Sequence, residues 1–244
     1  MADKEPQIEI VKDGETPGAG QVIPARYSFP ATLPIIPLTN RPFFPRMMVP
    51  LVIDEPGIKN MLAGLARDNS KFVGLILARE RKGEDAAPRG PLGPEELHNV
   101  GVIAEVLQAS QSAPDGPVQI MAGVMERFSV TRFVPGTPHI VADVRYMFET
   151  EMAANDELRA YSLAIITSIK ELLQLNPLFK EELSLFLSRS NLNEPGRLAD
   201  FAAAMTTAGG AELQDILETI SIRTRIEKTL LILKKEIDLS RLQT

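Results

Sequence analysis

The period of the apolar pattern changes once along this chain, near Glu151, and that change limits the folds open to it. Before it, apolar side chains recur at every second residue; after it, at every third or fourth. Alternation by two fits strands with one buried face, and the longer spacing fits amphipathic helices. The expected fold is therefore α+β. A β-rich lobe is expected over 31–150, a helical bundle over 151–221, and a long helix over 222–244.

Within the first region, short apolar runs at 33–38, 49–53 and 72–78 read as strands. A stricter alternation follows, with Val100, Val102, Ala104 and Val106 on one side and Ile103 and Leu107 on the other. Pro114-Asp115-Gly116 has the chemistry of a hairpin turn, because Asp and Gly accept the positive φ such turns need. The return strand alternates Val118, Ile120, Ala122 and Val124, and further strands are expected at 127–134 and 139–148. Ile58, Met61, Leu62 and Leu65 predict one helix over 57–67, so a small mixed sheet or partial barrel is the expected outcome. Residues 80–98 read as a charged, Pro/Gly-rich loop. Residues 1–30, broken by seven prolines and glycines from Pro6 to Pro30, read as a flexible tail, with 8–11 able to form a transient edge strand.

In the second region, Asn155-Asp156 can cap a helix carrying Leu158, Tyr161, Ile165, Ile169 and Leu172, which Asn176-Pro177 ends. Shorter helices are expected at about 178–188, after Pro195-Gly196, and around Leu213–Ile220. The final helix carries Ile226, Leu230, Leu233 and Ile237 in a coiled-coil-like seam. No Gly, Asn or Pro stops it before Thr244, so the pattern reads as truncated within a helix.

The chain is poor in the parts from which active sites are built. Without cysteine there are no disulfides, thiolate metal sites or cysteine nucleophiles. Only His98 and His139 offer imidazole; the first reads as a solvated loop residue beside Glu95 and Glu96, the second as a surface or edge residue. No phosphate-cradling glycine loop, HExxH or GxSxG pattern occurs. Ser168 and Lys170, two apart on a helix, do not share a face, so a Ser–Lys dyad is not expected there. Glu181-Glu182 reads as a solvated helix face. The net charge of −6 disfavours nucleic acid as a partner. An acidic N-terminus without an apolar core excludes a secretory signal there, and no run is long enough to span a membrane. The expected location is the cytoplasm.

One segment remains. Six prolines between 30 and 50 forbid regular central pairing, so parts of this segment are expected to be edge strand or loop. Phe43, Phe44, Met47 and Met48 then lie on or near a connection, where large apolar side chains are hard to bury. Exposed apolar patches with flexible methionine suit binding of varied partners, and these four are the candidate substrate-binding residues. The competing reading packs them into the bottom of the small barrel.

At this segment the sequence resembles the N-terminal domain of the Lon family of ATP-dependent proteases. The matching residues are Leu33-Pro34-x-x-Pro37-Leu38 and Phe44-Pro45-x-Met47-x-x-Pro50-Leu51. Val100-Gly101-x-Ile103-Ala104, Asp115-Gly116, Pro195 through Asp200, and Arg225-Ile226-Glu227-Lys228 follow in the family's order. Asn40-Arg41-Pro42-Phe43 departs from the family pattern, and the loop at 80–98 is longer and richer in proline. The resemblance implies a PUA-like β lobe, a helical bundle, and a long connector helix. It implies capture of unfolded, damaged or degron-bearing proteins for a homo-hexameric machine. ATP and Mg would belong to an ATPase module and proteolysis to a Ser–Lys module, so no catalytic residue, metal or cofactor is expected in this chain. Alternatives are a structural module for hexamer assembly or gating, which the helical seam suggests, and a stand-alone adaptor of the same fold.

Overall fold

A computed structural model of the chain describes residues 29–80, 92–111, 113, 116–149, 156–175 and 194–243. Six strands form one sheet: β1 (Thr32–Leu38), β2 (Met48–Ile53), β3 (Phe72–Leu77), β4 (Val100–Gln111), β5 (Val118–Phe133) and β6 (Val141–Met147). The strand order is β2-β5-β4-β3-β1-β6, and β6 also pairs with β5. Five strands thus close into a ring, with β2 added outside it. The two strands expected at 118–124 and 127–134 are one continuous strand of 16 residues. One edge of β5 carries β4, while its other edge carries β2 along 118–123 and β6 along 127–133.

Parts of the proline-rich segment are connection (39–47) and edge strand (β2), as expected, while β1 lies inside the sheet, and the backbone shows how. Its first half pairs antiparallel with β6 (Thr32↔Asp143 to Pro34↔Val141), and its second half pairs parallel with β3 (Ile35↔Gly74 to Leu38↔Leu77). The Ile35 N–H donates to Ile140 C=O at 2.8 Å on the β6 side, and Leu38 C=O accepts from Ala78 at 2.7 Å on the other. Alternation then turns the Pro34 nitrogen toward β3 before that pairing begins, and the Pro37 nitrogen toward β6 after that pairing has ended. Neither proline is asked for the donor it lacks.

Helix α1 (Pro56–Arg67) starts one residue earlier than its apolar spacing indicates. Pro56 stands at its first turn, and the Glu55 carboxylate accepts from the Gly57 and Ile58 N–H groups, both at 2.9 Å. Phe29 and Pro30, expected in the tail, belong to the lobe. Phe29 packs on Phe72 and Tyr146, with centroids 5.9 and 5.0 Å away, and the Tyr146 hydroxyl donates to Pro30 C=O at 2.6 Å. Within the ring, Gly74 and Gly101 leave room for the buried Phe128: a Cβ on Gly101 would lie 2.5 Å from the Leu75 carbonyl oxygen and 3.1 Å from that ring.

The bundle comprises α2 (Asp156–Leu175), α3 (Pro195–Ala204), α4 (Gly210–Glu218) and α5 (Ile222–Gln243) among the described residues. The helix expected at 178–188 and the Glu181-Glu182 pair lie outside those residues, as do Pro114-Asp115 and most of the tail. Ile226, Leu233 and Ile237 of the α5 seam pack with Ile165, Ile169 and Leu172 of α2 and Leu198 of α3. The seam is therefore used within the chain. A second apolar cluster crosses from lobe to bundle, joining Phe44, Val49 and Ile120 to Leu213, Ile216, Leu217 and Ile232. Among the described residues, no helix is long and apolar enough to cross a membrane.

Candidate functional site

The four apolar candidates separate according to a local backbone irregularity. Arg46 has φ 67°, a left-handed conformation uncommon outside glycine. Its N–H donates to Val124 C=O at 2.9 Å, and the Val124 N–H donates to Met47 C=O at 2.8 Å. Two residues of the incoming chain thus face one residue of β5, which is a β-bulge. The extra residue sets the phase of β2, so that Val49 and Ile53 turn inward while Met48, Pro50 and Val52 turn outward.

Phe44 is fully buried among Val49, Ile120 and the α4 side chains. A ring with no exposed surface cannot touch a partner unless the core opens, so its place is beneath the surface. Phe43 and Met47 are half-buried and pack against the same cluster. Met48 is 65% exposed. Phe44 is therefore buried, as the competing reading has it, though at the contact of lobe and bundle rather than at the bottom of the barrel, and Met48 is exposed.

Met48 does not stand alone. Its partner across the sheet is Gly123, and a Cβ placed on Gly123 would lie 3.5 Å from a Leu107 methyl carbon. Leu107 sits where the β4–β5 register shifts and remains half exposed. The next outward pair on β2 and β5 is Pro50 with Met121, and the next is Val52 with Gln119, Val52 being 67% exposed. Met48, Pro50, Val52, Met121 and Leu107 thus form an apolar strip across the outer face of three strands. Only the Met48 end of it was within the candidate set. Val52 and Leu107 were visible in the sequence as strand residues, but their outward direction depends on the two irregularities.

Asn40 and Arg41, the departure from the family pattern, dock on the bundle. The Arg41 guanidinium donates to Ala204 and Thr206 C=O at 3.0 and 3.2 Å, at the end of α3 where helix carbonyls lack partners. Burial draws its pKa down, partly offset by Glu236. Gly210 lets the Asn40 carbonyl approach, since a Cβ there would meet that oxygen at 2.6 Å.

The histidines divide likewise. His98 is not a solvated loop residue: its Nδ1 lies 3.2 Å from the Glu218 carboxylate, which also accepts from Gln214 at 2.9 Å. Gln214 in turn donates to Val100 C=O at 3.0 Å, linking α4 to the start of β4. His139 lies half-buried just before β6, with its C=O accepting from the Thr137 hydroxyl at 2.6 Å. Among the described residues, no three His, Asp or Glu side chains are grouped to hold a metal.

A buried ionic joint was not anticipated. Arg127 of β5 and Arg225 of α5, which are 2% and 0% exposed, share Asp200 of α3 and Glu149 of the segment after β6. Arg127 lies 2.6 Å from Asp200 and 3.2 Å from Glu149; Arg225 lies 3.2 Å from Asp200 and also pairs with Glu149. The remaining guanidinium nitrogens reach backbone: Arg127 Nε donates to Leu217 C=O at 3.0 Å, and Arg225 Nε and Nη2 to Thr219 and Ile220 C=O at 3.0 and 3.1 Å. Burial alone would lower the Arg225 pKa, but Asp200 and Glu149 outweigh it and hold it above its ordinary value. Gly196 makes room for Glu149, because a Cβ there would lie 2.5 Å from its carboxylate oxygen. The sequence signal was a charge inside an apolar stripe, since Ile222, Arg225, Thr229 and Ile232 also follow helical spacing.

The family model of the ATP-dependent protease La (LON) substrate-binding domain matches residues 32–235. The chain is 45% identical over 217 residues to Lon protease 1 of Syntrophotalea carbinolica, covering 88% of this chain and 25% of that protein. It is 40% identical over 244 residues to Lon protease of Chlamydia muridarum, covering 100% of this chain and 28% of that protein. The chain thus spans about a quarter of the length of these curated relatives. Two solved structures share the fold. The Lon N-terminal domain protein from Xanthomonas campestris has a TM-score of 0.57 at 14% identity, covering 82% of this chain and 97% of its own. The N-terminal domain of Mycobacterium avium complex Lon protease has a TM-score of 0.60 at 21% identity, covering 83% and 98%.

Proposed function

The chain belongs to the ATP-dependent protease La (LON) substrate-binding domain family, and from that premise we propose that it captures unfolded or degron-bearing polypeptides on the outer apolar strip. The carrying observation is the exposure of Met48 and Val52, at 65% and 67%, beside the half-exposed Leu107. Met48 contacts the client directly, Phe43 and Met47 support it from the half-buried side, and Phe44 holds the segment from beneath. Such contacts are individually weak and undemanding in shape, which suits a varied clientele. Delivery to ATPase and protease modules, in a cytoplasmic homo-hexamer, completes the reading. Tethering raises local client concentration there without tight affinity.

The test is a methyl NMR titration of the 244-residue chain with a reduced, alkylated and hence permanently unfolded globular protein. Shifts are expected at the Met48, Val52 and Leu107 methyl groups. Absence of binding at high micromolar concentration, or shifts confined to the bundle, would overturn the reading.

A second reading, assembly through the bundle, draws on Leu231, Leu239 and Leu242, which lie on one side of α5 and are 64%, 53% and 85% exposed. Sedimentation across a concentration series tests it; a strictly monomeric chain counts against it.

A further inference from the structure

We infer that the open edge of β2 is where a client docks, an extended apolar segment of an unfolded polypeptide joining the sheet as an added strand beside Met48–Ile53, and that Pro50 keeps this pairing weak. The inference rests on the client-capture reading above and gives it a mode of binding.

Among the described residues β2 pairs with β5 alone, so its other edge has no strand partner. The Arg46–Val124–Met47 bonds fix the phase of the ladder. Counting along the antiparallel pair from Val124, residues Ala122 and Ile120 exchange hydrogen bonds with Val49 and Leu51. Met48, Pro50 and Val52 therefore direct their backbone polar groups away from β5, toward the open edge. Those are the residues whose side chains cover the outer face. An added strand would find main-chain partners along the edge and apolar side chains beside it, which is the arrangement of strand addition.

Main-chain pairing is indifferent to the identity of the client's side chains. It asks only for an extended, unpaired backbone, which an unfolded polypeptide has and a folded one lacks. The charges bounding the edge narrow the occupant further. Residues 47–53 are uncharged, with Arg46 at one end and Asp54 at the other; Arg46 pairs with Glu126 at 3.3 Å and Asp54 with Lys59 at 3.4 Å, yet their side chains stay 59% and 80% exposed and open to a second counter-ion. The segment that fits is an uncharged apolar run, flanked by an acidic residue beside Arg46 and a basic one beside Asp54.

Pro50 sits at the centre of this edge and offers a carbonyl but no N–H, so donors remain only at Met48 and Val52. A proline on an exposed edge limits open-ended pairing between chains. Here it leaves one client carbonyl unpaired, so the client is held without being kept.

The experiment uses the 244-residue chain and a synthetic peptide of alternating valine and threonine with a terminal glutamate and lysine. A second peptide carries the same side chains but is N-methylated at every residue between its ends, so that neither of its edges can donate. The plain peptide is expected to bind and to slow hydrogen exchange at the Met48 and Val52 amides, and the methylated one to bind at least about tenfold more weakly, as loss of several hydrogen bonds requires. Pro50→Val should tighten the plain peptide by about fivefold, the effect of one added hydrogen bond. Equal binding of both peptides, or binding that leaves those amides unprotected, would overturn strand addition while client capture stands. If neither the peptides nor the alkylated unfolded protein binds, the capture reading falls with it. A peptide-free dimer with the Met48 and Val52 amides protected would assign the edge to a second copy of this chain, and so overturn the inference.

Discussion

The ionic joint and the apolar strip invert the usual distribution of residues. Arg127, Arg225 and Asp200 are almost wholly enclosed, whereas Met48 and Val52 are about two-thirds exposed. Charges of this kind are rarely buried unless paired, and here carboxylates and backbone carbonyls together occupy both guanidinium groups. The joint ties β5, α3, α5 and the segment after β6 together, and its groups have partners within the chain. The strip is the opposite case: large apolar side chains left largely open to solvent. Saturated polar groups inside hold shape; unsaturated apolar groups outside are available to another molecule.

The contrast breaks most readily at Arg225. Arg225→Met should cost about 3–5 kcal/mol, because it strands Asp200 and Glu149 beside a single remaining cation and frees the Thr219 and Ile220 carbonyls. Chemical denaturation followed by circular dichroism measures this, and a loss below about 1 kcal/mol would mean that the joint is only incidental to the fold. Phe44→Ala tests the same division within one segment, four residues from Met48. Removing a fully buried ring should cost roughly 3 kcal/mol or more, with a matching fall in melting temperature. Replacing both Met48 and Val52 by serine should change stability by less than about 1 kcal/mol while removing binding of the unfolded protein. Retained binding in that variant would move the client surface elsewhere.

The smallest effect lies between the two regions, at Glu126, whose carboxylate is 3.3 Å from Arg46. Burial pushes its pKa above the ordinary carboxylate value, and Arg46 opposes that only in part. A raised pKa means that the folded state holds the proton more tightly than the unfolded one. Glu126 therefore favours folding at acid pH, and that contribution is lost as pH rises through its folded value. Glu126→Gln should be the more stable protein at neutral pH, with the gap to the parent closing as pH falls toward about 4.3, the unfolded value. Melting temperatures across pH 4–8 decide it; a gap that widens toward acid pH would reverse the sign.

Period and punctuation made much of this fold legible. The α+β division, the main strands, α1 and the apolar seam of α5 all follow from side-chain spacing, which depends on neighbours in sequence; that the seam packs within the chain does not. The place of β1 inside the sheet was not legible, because the tolerance of its prolines depends on which neighbour is present at each half of the strand. The site was only partly legible for a related reason. Phe44 and Met48 are both large and apolar, and only the bulge at Arg46, an irregularity with no glycine to announce it, decides which turns outward. The ionic joint was hidden because its members come from β5, α3, α5 and the segment after β6, and no local pattern pairs residues so distant in sequence.

Strand β5 has a genetic consequence. It pairs with β4 on one edge and with β2 and β6 on the other, through ladders that each have their own register. Deleting one codon between Val118 and Phe133 would offset part of those ladders together and turn alternate side chains to the wrong face. Drift in this family should therefore leave the length of that strand untouched, and gains or losses of residues should collect in the connections.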